Sequence, residues 1–325
     1  MGTSSFAVPA LEALYEKRRD RTGGSGENIS LLVVTQPDRV RGRGGRILPT
    51  PVGLFAEEND LRLCKPENLK TDETFLETLT AFAPELIVVA AYGKILPKAL
   101  LDLPALGCVN IHASLLPAYR GAAPVQRAIL DGKKEVGVTL THMSEKLDAG
   151  DMIAFAKTDA GEMNAGELTD ELAKLGAELL VNTLPMIADG TAPRLTQDES
   201  KATYADKIEK DEGRLNLRAS AEEAVRKVRA MTPAPGAYII KGGERIIVTK
   251  ARALSEDGYK AAVDETAMAE AGETAKAGTV LAAVKRGIFI KTGDGILVID
   301  MLKAPGKREM PSGEYIKGNA FGEVE

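Results

Sequence analysis

The sequence predicts an α/β domain followed by a second, β-rich domain. With 325 residues, the chain is about twice as long as an average domain. Up to about residue 190, short β-branched apolar runs alternate with helical patterns, which is the order of an α/β fold. From about residue 217, short strand-like runs follow one another between glycine-containing turns, which indicates a small β-barrel of the OB type.

In the first domain, apolar runs at residues 29–35 and 85–91 predict buried strands of a parallel sheet. Residues 108–112 predict a third strand, and residues 136–143, with alternating polar residues, predict a fourth. Segments with helical apolar periodicity predict helices at residues 51–59, 72–82, 124–131 and 168–188. Pro51 suits the first turn of its helix, because that turn needs no backbone donor there.

The polar, unperiodic stretch at residues 193–216 predicts a linker. A helix at residues 219–230 follows it. The remaining runs predict strands at residues 237–240, 244–250, 278–283, 287–292 and 296–302.

Composition excludes several classes of protein. Hydrophobic residues make up 44% and charged residues 27%, which rules out a disordered chain, and no apolar run approaches the roughly 20 residues that cross a bilayer. Two cysteines without a CxxC pair cannot form a disulfide framework or a thiolate metal cage, and a reducing cytoplasm suits them. The net charge is −7 over residues 1–206 and +2 over residues 207–325, which fits either a basic binding surface or ordinary solvated charge.

Asn110 and His112 end the predicted strand at residues 108–112, and their alternate positions place both on one face. Ligand sites of α/β folds form at the carboxyl edge of the sheet. An apolar loop follows, and Asp148 and Asp151 lie in a glycine-containing turn after the next strand. An amide, an imidazole and a carboxylate can together stabilise an oxyanion and transfer protons. On spacing alone, the alternative remains that these residues only cap a strand and form a turn.

Three motifs occur in order: Asn110-x-His112, SLLPxYRGxxP at residues 114–124 and LDxGD at residues 147–151. Together they resemble the folate-dependent formyltransferases. FAVPALEAL at residues 6–14, TQPDRxxGRG at residues 35–44 and AYGKILP at residues 91–97 are similar to the branch of that family that formylates methionyl-tRNA. The resemblance covers almost the whole chain.

The resemblance implies a Rossmann-like catalytic domain at residues 1–192, a linker at 193–216 and an OB-like tRNA-binding domain at 217–325. The implied reaction moves a formyl group from the co-substrate 10-formyltetrahydrofolate to the α-amino group of methionyl-initiator tRNA, without a metal. Asn110 and a protonated His112 would stabilise the oxyanion, while Asp148 would orient the imidazole or accept the proton.

The resemblance also implies the binding residues. Folate contacts are expected from the motif loop and the turn at residue 92, at Ser114, Leu115, Leu116, Pro117 and Tyr92. Contacts with tRNA are expected from an arginine- and glycine-rich loop, at Arg41, Arg43 and Arg46. The folate and the initiator tRNA are the expected partners of a cytoplasmic monomer that does not associate with membranes.

The chain departs from the family pattern at its start. In the family, a strand of about six residues precedes the segment that matches Met1-Gly2-Thr3. We therefore expect that the first strand of the catalytic domain is missing and that the natural start lies upstream.

Three other functions compete with this interpretation. A formyltransferase acting on the amine of a sugar nucleotide or of glycinamide ribonucleotide would share Asn110, His112 and Asp148. A nicotinamide-dependent oxidoreductase would need a GxGxxG turn after its first strand, and none stands in that context. A non-catalytic tRNA-binding module would have no use for the three polar residues.

Overall fold

A computed structural model describes residues 1–19, 29–41, 45–263, 275–319, 321, 322 and 324. The chain divides into two units, each assembled from separate stretches of sequence. The first unit comprises Met1–Pro124, Glu135–Asp159 and Thr169–Asp206. The second comprises Val125–Lys134, Ala160–Leu168 and Lys207–Glu325.

The helices and strands are as follows, in chain order. The helices are α1 (Val8–Arg19), α2 (Pro51–Glu58), α3 (Glu73–Phe82), α4 (Lys98–Leu101), α5 (Pro124–Leu130), α6 (Ala165–Ala188), α7 (Ala221–Met231), α8 (Glu256–Ala262) and α9 (Ser312–Tyr315). The strands are β1 (Leu32–Val34), β2 (Arg39–Arg41), β3 (Arg46–Leu48), β4 (Arg62–Cys64), β5 (Ile87–Ala90), β6 (Cys108–His112), β7 (Arg120–Gly121), β8 (Glu135–His142), β9 (Met152–Asp159), β10 (Tyr204–Ala205), β11 (Ala237–Lys241), β12 (Glu244–Leu254), β13 (Val280–Val284), β14 (Gly287–Lys291), β15 (Ile296–Lys303) and β16 (Met310–Pro311).

The main sheet of the first unit has the strand order β5-β6-β8-β9. Strands β5 and β6 are parallel, and β1 and β4 form a separate parallel pair, so the α/β prediction with parallel strands is confirmed. The fourth strand predicted in this domain, β8, runs antiparallel to both β6 and β9, so the main sheet is mixed. A short loop joins β8 to β9, and such a hairpin needs no helical crossover.

Burial explains why the parallel strands are apolar along their whole length. Ile87 and Val89 on β5, and Cys108, Val109 and Ile111 on β6, are all buried. Strands covered on both faces read as continuous hydrophobic runs rather than as an alternating pattern. Asn110 and His112 interrupt this apolar pattern at the end of β6. Burial of polar side chains costs free energy, so packing alone does not explain why they lie at this strand end.

Side-chain caps set where two helices of this unit begin. The Thr50 hydroxyl accepts a hydrogen bond from Gly53 N at 2.9 Å, directly before Pro51 opens α2. The Asp72 carboxylate accepts one from Phe75 N at 3.0 Å at the start of α3. Each such cap contributes about 1 kcal/mol to the stability of its helix.

The first residues of the chain lie between β1 and β5. Gly2 N donates to Val34 O at 3.0 Å, and Ala90 N donates to Met1 O at 3.0 Å, so these residues bridge the two strands at one end. Beyond this bridge, β1 and β5 flank a cavity of about 730 Å³ lined mostly by apolar side chains. The Met1 α-amino group donates to Val88 O at 2.6 Å, and burial lowers the pKa of this group to about 5.

The second unit is built on an antiparallel sheet with the order β11-β12-β15-β14-β13, and β16 pairs with β15. Helix α7 begins with a reciprocal cap between Ser220 and Glu223 and buries Val225, Val228 and Met231 in the core of this sheet. A C-terminal β domain is thus confirmed. In the described residues no pairing joins β13 to β11, so the sheet is open and does not form the closed barrel that the sequence suggested.

Among the helices that the structure describes, none is both long enough and apolar enough to span a lipid bilayer.

Candidate active site

The site forms where β6 ends and the motif loop begins. Asn110 and His112 occupy alternate positions on β6, paired with Thr141 and Thr139 of β8. His112 is 7% exposed, whereas Asn110 is half-buried. The edge of the sheet therefore holds the amide and the imidazole on one face, at the place that the sequence indicated.

His112 contacts two groups through its two ring nitrogens. Its Nε2 lies 2.9 Å from the backbone oxygen of Tyr119, and its Nδ1 lies 3.7 Å from Oδ2 of Asp148. A carbonyl oxygen only accepts hydrogen bonds, so Nε2 carries the proton in this arrangement. At 3.7 Å, Nδ1 and Oδ2 of Asp148 are too far apart for a hydrogen bond, so the carboxylate faces the ring at close range without bonding to it.

A backbone amide and a left-handed turn fix the position of Asp148. Oδ2 of Asp148 accepts a hydrogen bond from Gly121 N at 2.8 Å. The backbone of Asp148 has a φ of 48°, in the left-handed region that aspartate and asparagine tolerate better than most residues. Gly150, two residues later, packs so closely that a Cβ there would clash with the backbone oxygen of His142, so only glycine fits.

The carboxamide of Asn110 makes no hydrogen bond to any other residue in the described part of the chain. The pairing of β6 with its neighbours uses the backbone of Asn110 and leaves the side chain uninvolved. An amide that is half-buried and unpaired at a strand end can donate to an incoming oxygen atom.

Thr139 holds the loop with the predicted folate residues. Its hydroxyl donates to Ser114 O at 2.7 Å and accepts from Leu116 N at 3.1 Å, entirely within the interior. The Ser114 hydroxyl in turn donates to Ala118 O at 2.7 Å. Ser114 and Leu116 are buried, while Leu115 and Pro117 are half-buried. Hydrogen bonds to Thr139 thus anchor the loop to β8. The contact of this loop with a folate stays a prediction.

Tyr92 lies in the core rather than at an open surface. Its ring is 2% exposed, its hydroxyl has no hydrogen-bond partner among the described residues, and burial raises its pKa to about 12. Its backbone oxygen accepts hydrogen bonds from Thr3 Oγ1 at 2.8 Å and from Gln36 Nε2 at 2.7 Å. Tyr92 therefore stabilises the turn after β5, and its role in folate binding also stays a prediction.

The described residues at the two ends of the predicted tRNA-binding loop form strands. Strands β2 and β3 pair antiparallel, with Arg41 opposite Arg46 and Val40 opposite Ile47. Val40 and Ile47 are 62% and 68% exposed, which is unusual for a pair of β-branched residues. Arg43 lies outside the described residues.

Comparison with known families shows to which family the chain belongs. Residues 2–184 match the family model described as formyl transferase, and residues 207–320 match the model described as formyl transferase, C-terminal domain. The first match alone covers more than half of the chain and includes Asn110, His112 and Asp148. The chain belongs to the formyl transferase family.

Relatives within the formyl transferase family span nearly the full length. The methionyl-tRNA formyltransferase of Moorella thermoacetica is 42% identical over 319 residues, which cover 98% of this chain and 94% of the relative. Among solved structures, an N-formyltransferase from Helicobacter canadensis in complex with folinic acid and dTDP-3-aminofucose has a TM-score of 0.61 at 16% identity, covering 92% of this chain and 97% of that one. HypX from Aquifex aeolicus in complex with tetrahydrofolic acid has a TM-score of 0.60 at 22% identity, covering 89% of this chain and 48% of that one. These two structures show the shared fold.

Sequence reasoning missed three polar residues that support the formyl transferase site. Thr139, Arg120 and Gln197 are buried, and each hydrogen-bonds to the segments that carry or support the site. Arg120 is part of the motif at residues 114–124, which was a signal that it does more than line a loop. Gln197 lies in the stretch expected to be a linker, where no periodic pattern distinguishes a buried residue from an exposed one.

Proposed function

We propose that this formyl transferase moves the formyl group of 10-formyltetrahydrofolate to the α-amino group of methionine esterified to initiator tRNA. The observation that carries the proposal is the 42% identity, over 98% of the chain, to a methionyl-tRNA formyltransferase. Matches in both the N-terminal and the C-terminal part support it, because they leave neither part of the chain without a counterpart in the family.

The reaction sets the tasks of the site. The methionine amine attacks the formyl carbon, which forms a C–N bond and a tetrahedral oxyanion. The new ammonium then loses a proton, and the bond between the formyl carbon and N10 of the folate breaks, so that N10 leaves and takes up a proton. The site must therefore stabilise one oxyanion and move one proton.

Asn110, His112 and Asp148 are the residues we assign to those tasks. The unpaired carboxamide of Asn110 donates to the oxyanion. His112 supports the same charge as an imidazolium, held by the carboxylate of Asp148. Because Nε2 of His112 donates to Tyr119 O in this arrangement, that bond must open before Nε2 can donate to a substrate oxygen.

Folate binding is assigned to the loop Ser114–Pro117 and to the turn at Tyr92. The inward hydroxyl bonds of Ser114 and Thr139 leave the half-buried Leu115 and Pro117 as the side chains of this loop best placed for apolar contact. An apolar ring system suits such a surface, since specificity then comes from a few backbone groups.

Binding of tRNA is assigned to the segment of β2 and β3 and to the second unit. Arg41, Arg43 and Arg46 would contact phosphates or base edges, and the basic side chains of the C-terminal sheet would add sequence-independent attraction. We propose an OB-like role for that sheet, since OB folds are themselves partly open barrels that bind oligonucleotides. A monomer acting in the cytoplasm completes the proposal.

The test is formyl transfer from 10-formyltetrahydrofolate to three acceptors: methionyl-initiator tRNA, methionyl-elongator tRNA and a dTDP-linked amino sugar. Formylation of the initiator tRNA with a kcat/KM far above that of the other two supports the proposal. Preferential formylation of the amino sugar would replace it with the sugar-nucleotide alternative. Cofactor consumption without any formylated acceptor would overturn the assignment to an amine acceptor.

A further inference from the structure

We propose that Gln197 is a positioning residue, which holds the carboxylate of Asp148 in place beside His112 by clamping the backbone of the turn that carries it. The proposal deepens the assignment of Asp148 and rests on the proposed function for its kinetic readout. Gln197 is 5% exposed, lies 49 residues along the chain from Asp148, and belongs to no helix or strand.

The buried guanidinium of Arg120 orients the side chain of Gln197. Arg120 is 2% exposed, although a buried charge is costly unless it is paired and hydrogen-bonded. Its Nε and Nη2 donate to Oε1 of Gln197 at 3.1 and 2.8 Å, and its Nη1 and Nη2 donate to the carboxylate of Glu199 at 3.0 and 2.8 Å. A guanidinium only donates, so the oxygen of the Gln197 carboxamide must face Arg120.

This orientation directs the amide nitrogen of Gln197 at the active-site turn. Nε2 donates to Asp148 O at 2.8 Å and to Gly150 O at 2.8 Å. Both donors and the acceptor of the carboxamide are therefore used, and only glutamine supplies this combination at this length. The two carbonyls belong to the turn that carries the Asp148 carboxylate, so Gln197 fixes the turn from outside the reacting atoms.

The backbone next to Arg120 also contacts the carboxylate of Asp148. Arg120 is followed by Gly121, whose N–H donates to Oδ2 of Asp148. Gly121 itself is pressed against β10, since a Cβ on it would lie 2.8 Å from the Ala205 oxygen, and Arg120 N donates to Thr203 O at 2.9 Å. The backbone N–H of Gly121 thus holds the side chain of Asp148. The side chain of Gln197, which Arg120 orients, holds the backbone of Asp148.

His112 belongs to the same arrangement through Tyr119. Its Nε2 contacts the Tyr119 oxygen, one residue before Arg120, and its Nδ1 faces Asp148. Residues 119–121 therefore contact both partners of the His112 and Asp148 pair. A change at Gln197 moves the carboxylate while it leaves this contact of the imidazole intact.

The experiment compares Gln197→Glu and Gln197→Met in the full-length protein. Glutamate keeps an acceptor for Arg120 but presents a carboxylate oxygen to two carbonyls, whereas methionine removes both contacts at similar volume. We expect kcat for formyl transfer to fall about 10- to 100-fold in both variants, with KM for both substrates changing less than about threefold. The defect of Gln197→Glu should shrink in part as the pH is lowered, because the introduced carboxyl group, once protonated, can donate one of the two hydrogen bonds that the amide makes.

A readout independent of activity comes from the small number of histidines. The chain has two, so the ring resonances of His112 can be observed by NMR and assigned with a His142→Gln variant. We expect Gln197→Met to change the chemical shifts of the His112 ring at a fixed pH, because the carboxylate that faces Nδ1 moves away. This shift is measured without substrate, so it tests the clamp even if the acceptor assignment is wrong.

Lys201→Gln is the matched control in the same segment. Lys201 is exposed and pairs with Asp198 at the surface, so its replacement should leave kcat and the chemical shifts of the His112 ring unchanged. If folded Gln197→Glu and Gln197→Met retain the wild-type kcat and the wild-type chemical shifts of the His112 ring, the proposal is overturned. A lower Tm with unchanged kcat per folded molecule would also overturn it, since Gln197 would then be structural only.

Discussion

Oδ2 of Asp148 lies 3.7 Å from Nδ1 of His112 while it accepts a hydrogen bond of 2.8 Å from Gly121 N. The backbone N–H of Gly121 therefore holds the carboxylate without help from the imidazole. Its distance from Nδ1 is short enough for strong attraction and too long for a hydrogen bond. Closing this gap requires only a small movement of the ring or the turn, which couples the charge on His112 to the position of the turn.

Asp148→Asn should lower kcat about 10²- to 10⁴-fold, because it removes the charge that stabilises the imidazolium. Asparagine keeps an acceptor for Gly121 N and tolerates the left-handed backbone, so Tm should change little. Steady-state kinetics and thermal unfolding check both expectations.

Asp151→Asn is the control for that variant, since it changes the other aspartate of the same motif. The Asp151 carboxylate accepts from Thr196 Oγ1 at 3.1 Å. Its kcat should stay within about twofold of wild type. Equal losses in the two variants would show that net charge of the turn, and not the position of Asp148, matters.

Asn110→Ala should lower kcat about 10²- to 10³-fold with little change in KM for either substrate, since the amide acts on the developing oxyanion. The variant should unfold at the wild-type temperature, because the amide makes no hydrogen bond among the described residues. A rise in KM at constant kcat would instead place Asn110 in ground-state binding.

Thr139→Val should raise KM for 10-formyltetrahydrofolate and lower the free energy of unfolding by about 1 to 3 kcal/mol. Valine has nearly the same shape but leaves the buried N–H of Leu116 without its acceptor. Thr139→Ser, which keeps the hydroxyl, should restore both quantities. If the serine variant binds folate as poorly as the valine variant, the hydroxyl does not anchor the loop.

An extension of six apolar, β-branched residues ahead of Met1 should raise Tm, because it can fill the cavity between β1 and β5 as a strand. It also removes the buried α-amino group. Burial lowers the pKa of that group from 8.0 to about 5, so between pH 8 and pH 5 the unfolded chain binds a proton that the folded chain does not. Stability without the extension should therefore fall as the pH drops from 8 to 5.

Urea unfolding at pH 8, 6.5 and 5 measures this dependence. An extension of equal length made of serine and glycine is the control: it should remove the same pH dependence but leave Tm lower than the apolar extension does. Equal Tm values for the two extensions would mean that the cavity does not accept a strand.

Arg43→Ala should raise KM for tRNA and reduce the salt dependence of tRNA binding, with kcat at saturating tRNA unchanged. Arg43→Lys separates two modes of contact. Lysine should restore binding if Arg43 contacts a phosphate as a point charge, and should fail if the contact is bidentate to a base edge. Loss of turnover at saturating tRNA with normal binding would contradict this role.

The sequence was sufficient to predict those elements whose bounds are set by residues next to one another in the chain. Strand β6 has the predicted bounds at residues 108–112, and α2 begins at Pro51 because Thr50 and Pro51 together specify a helix start. Strand direction was not predictable for β8, since it depends on β9, whose half-exposed residues give a weak signal. The closure of the C-terminal sheet likewise depends on pairings between distant strands.

The supporting residues of the site escaped prediction for the same reason. The hydrogen bonds of Gln197 join residues 77 and 49 positions away, and nothing near Gln197 in the sequence distinguishes it from an exposed linker residue. Asn110, His112 and Asp148 could be named because their motifs are compact, whereas the residues that position them are scattered along the chain.

The return of residues 195–205 to the first unit has a practical consequence for anyone who excises the catalytic half. Leu195 pairs with Met152 of β9, and Tyr204 and Ala205 pair with β7. A fragment that stops at residue 184, where the N-terminal family match ends, would contain Asn110, His112 and Asp148 but would leave the guanidinium of Arg120 without its acceptors on Gln197 and Glu199. Chimeras between family members should therefore be joined after Asp206 and not at residue 184, so that Gln197, Glu199 and β10 stay with the unit in which they pair.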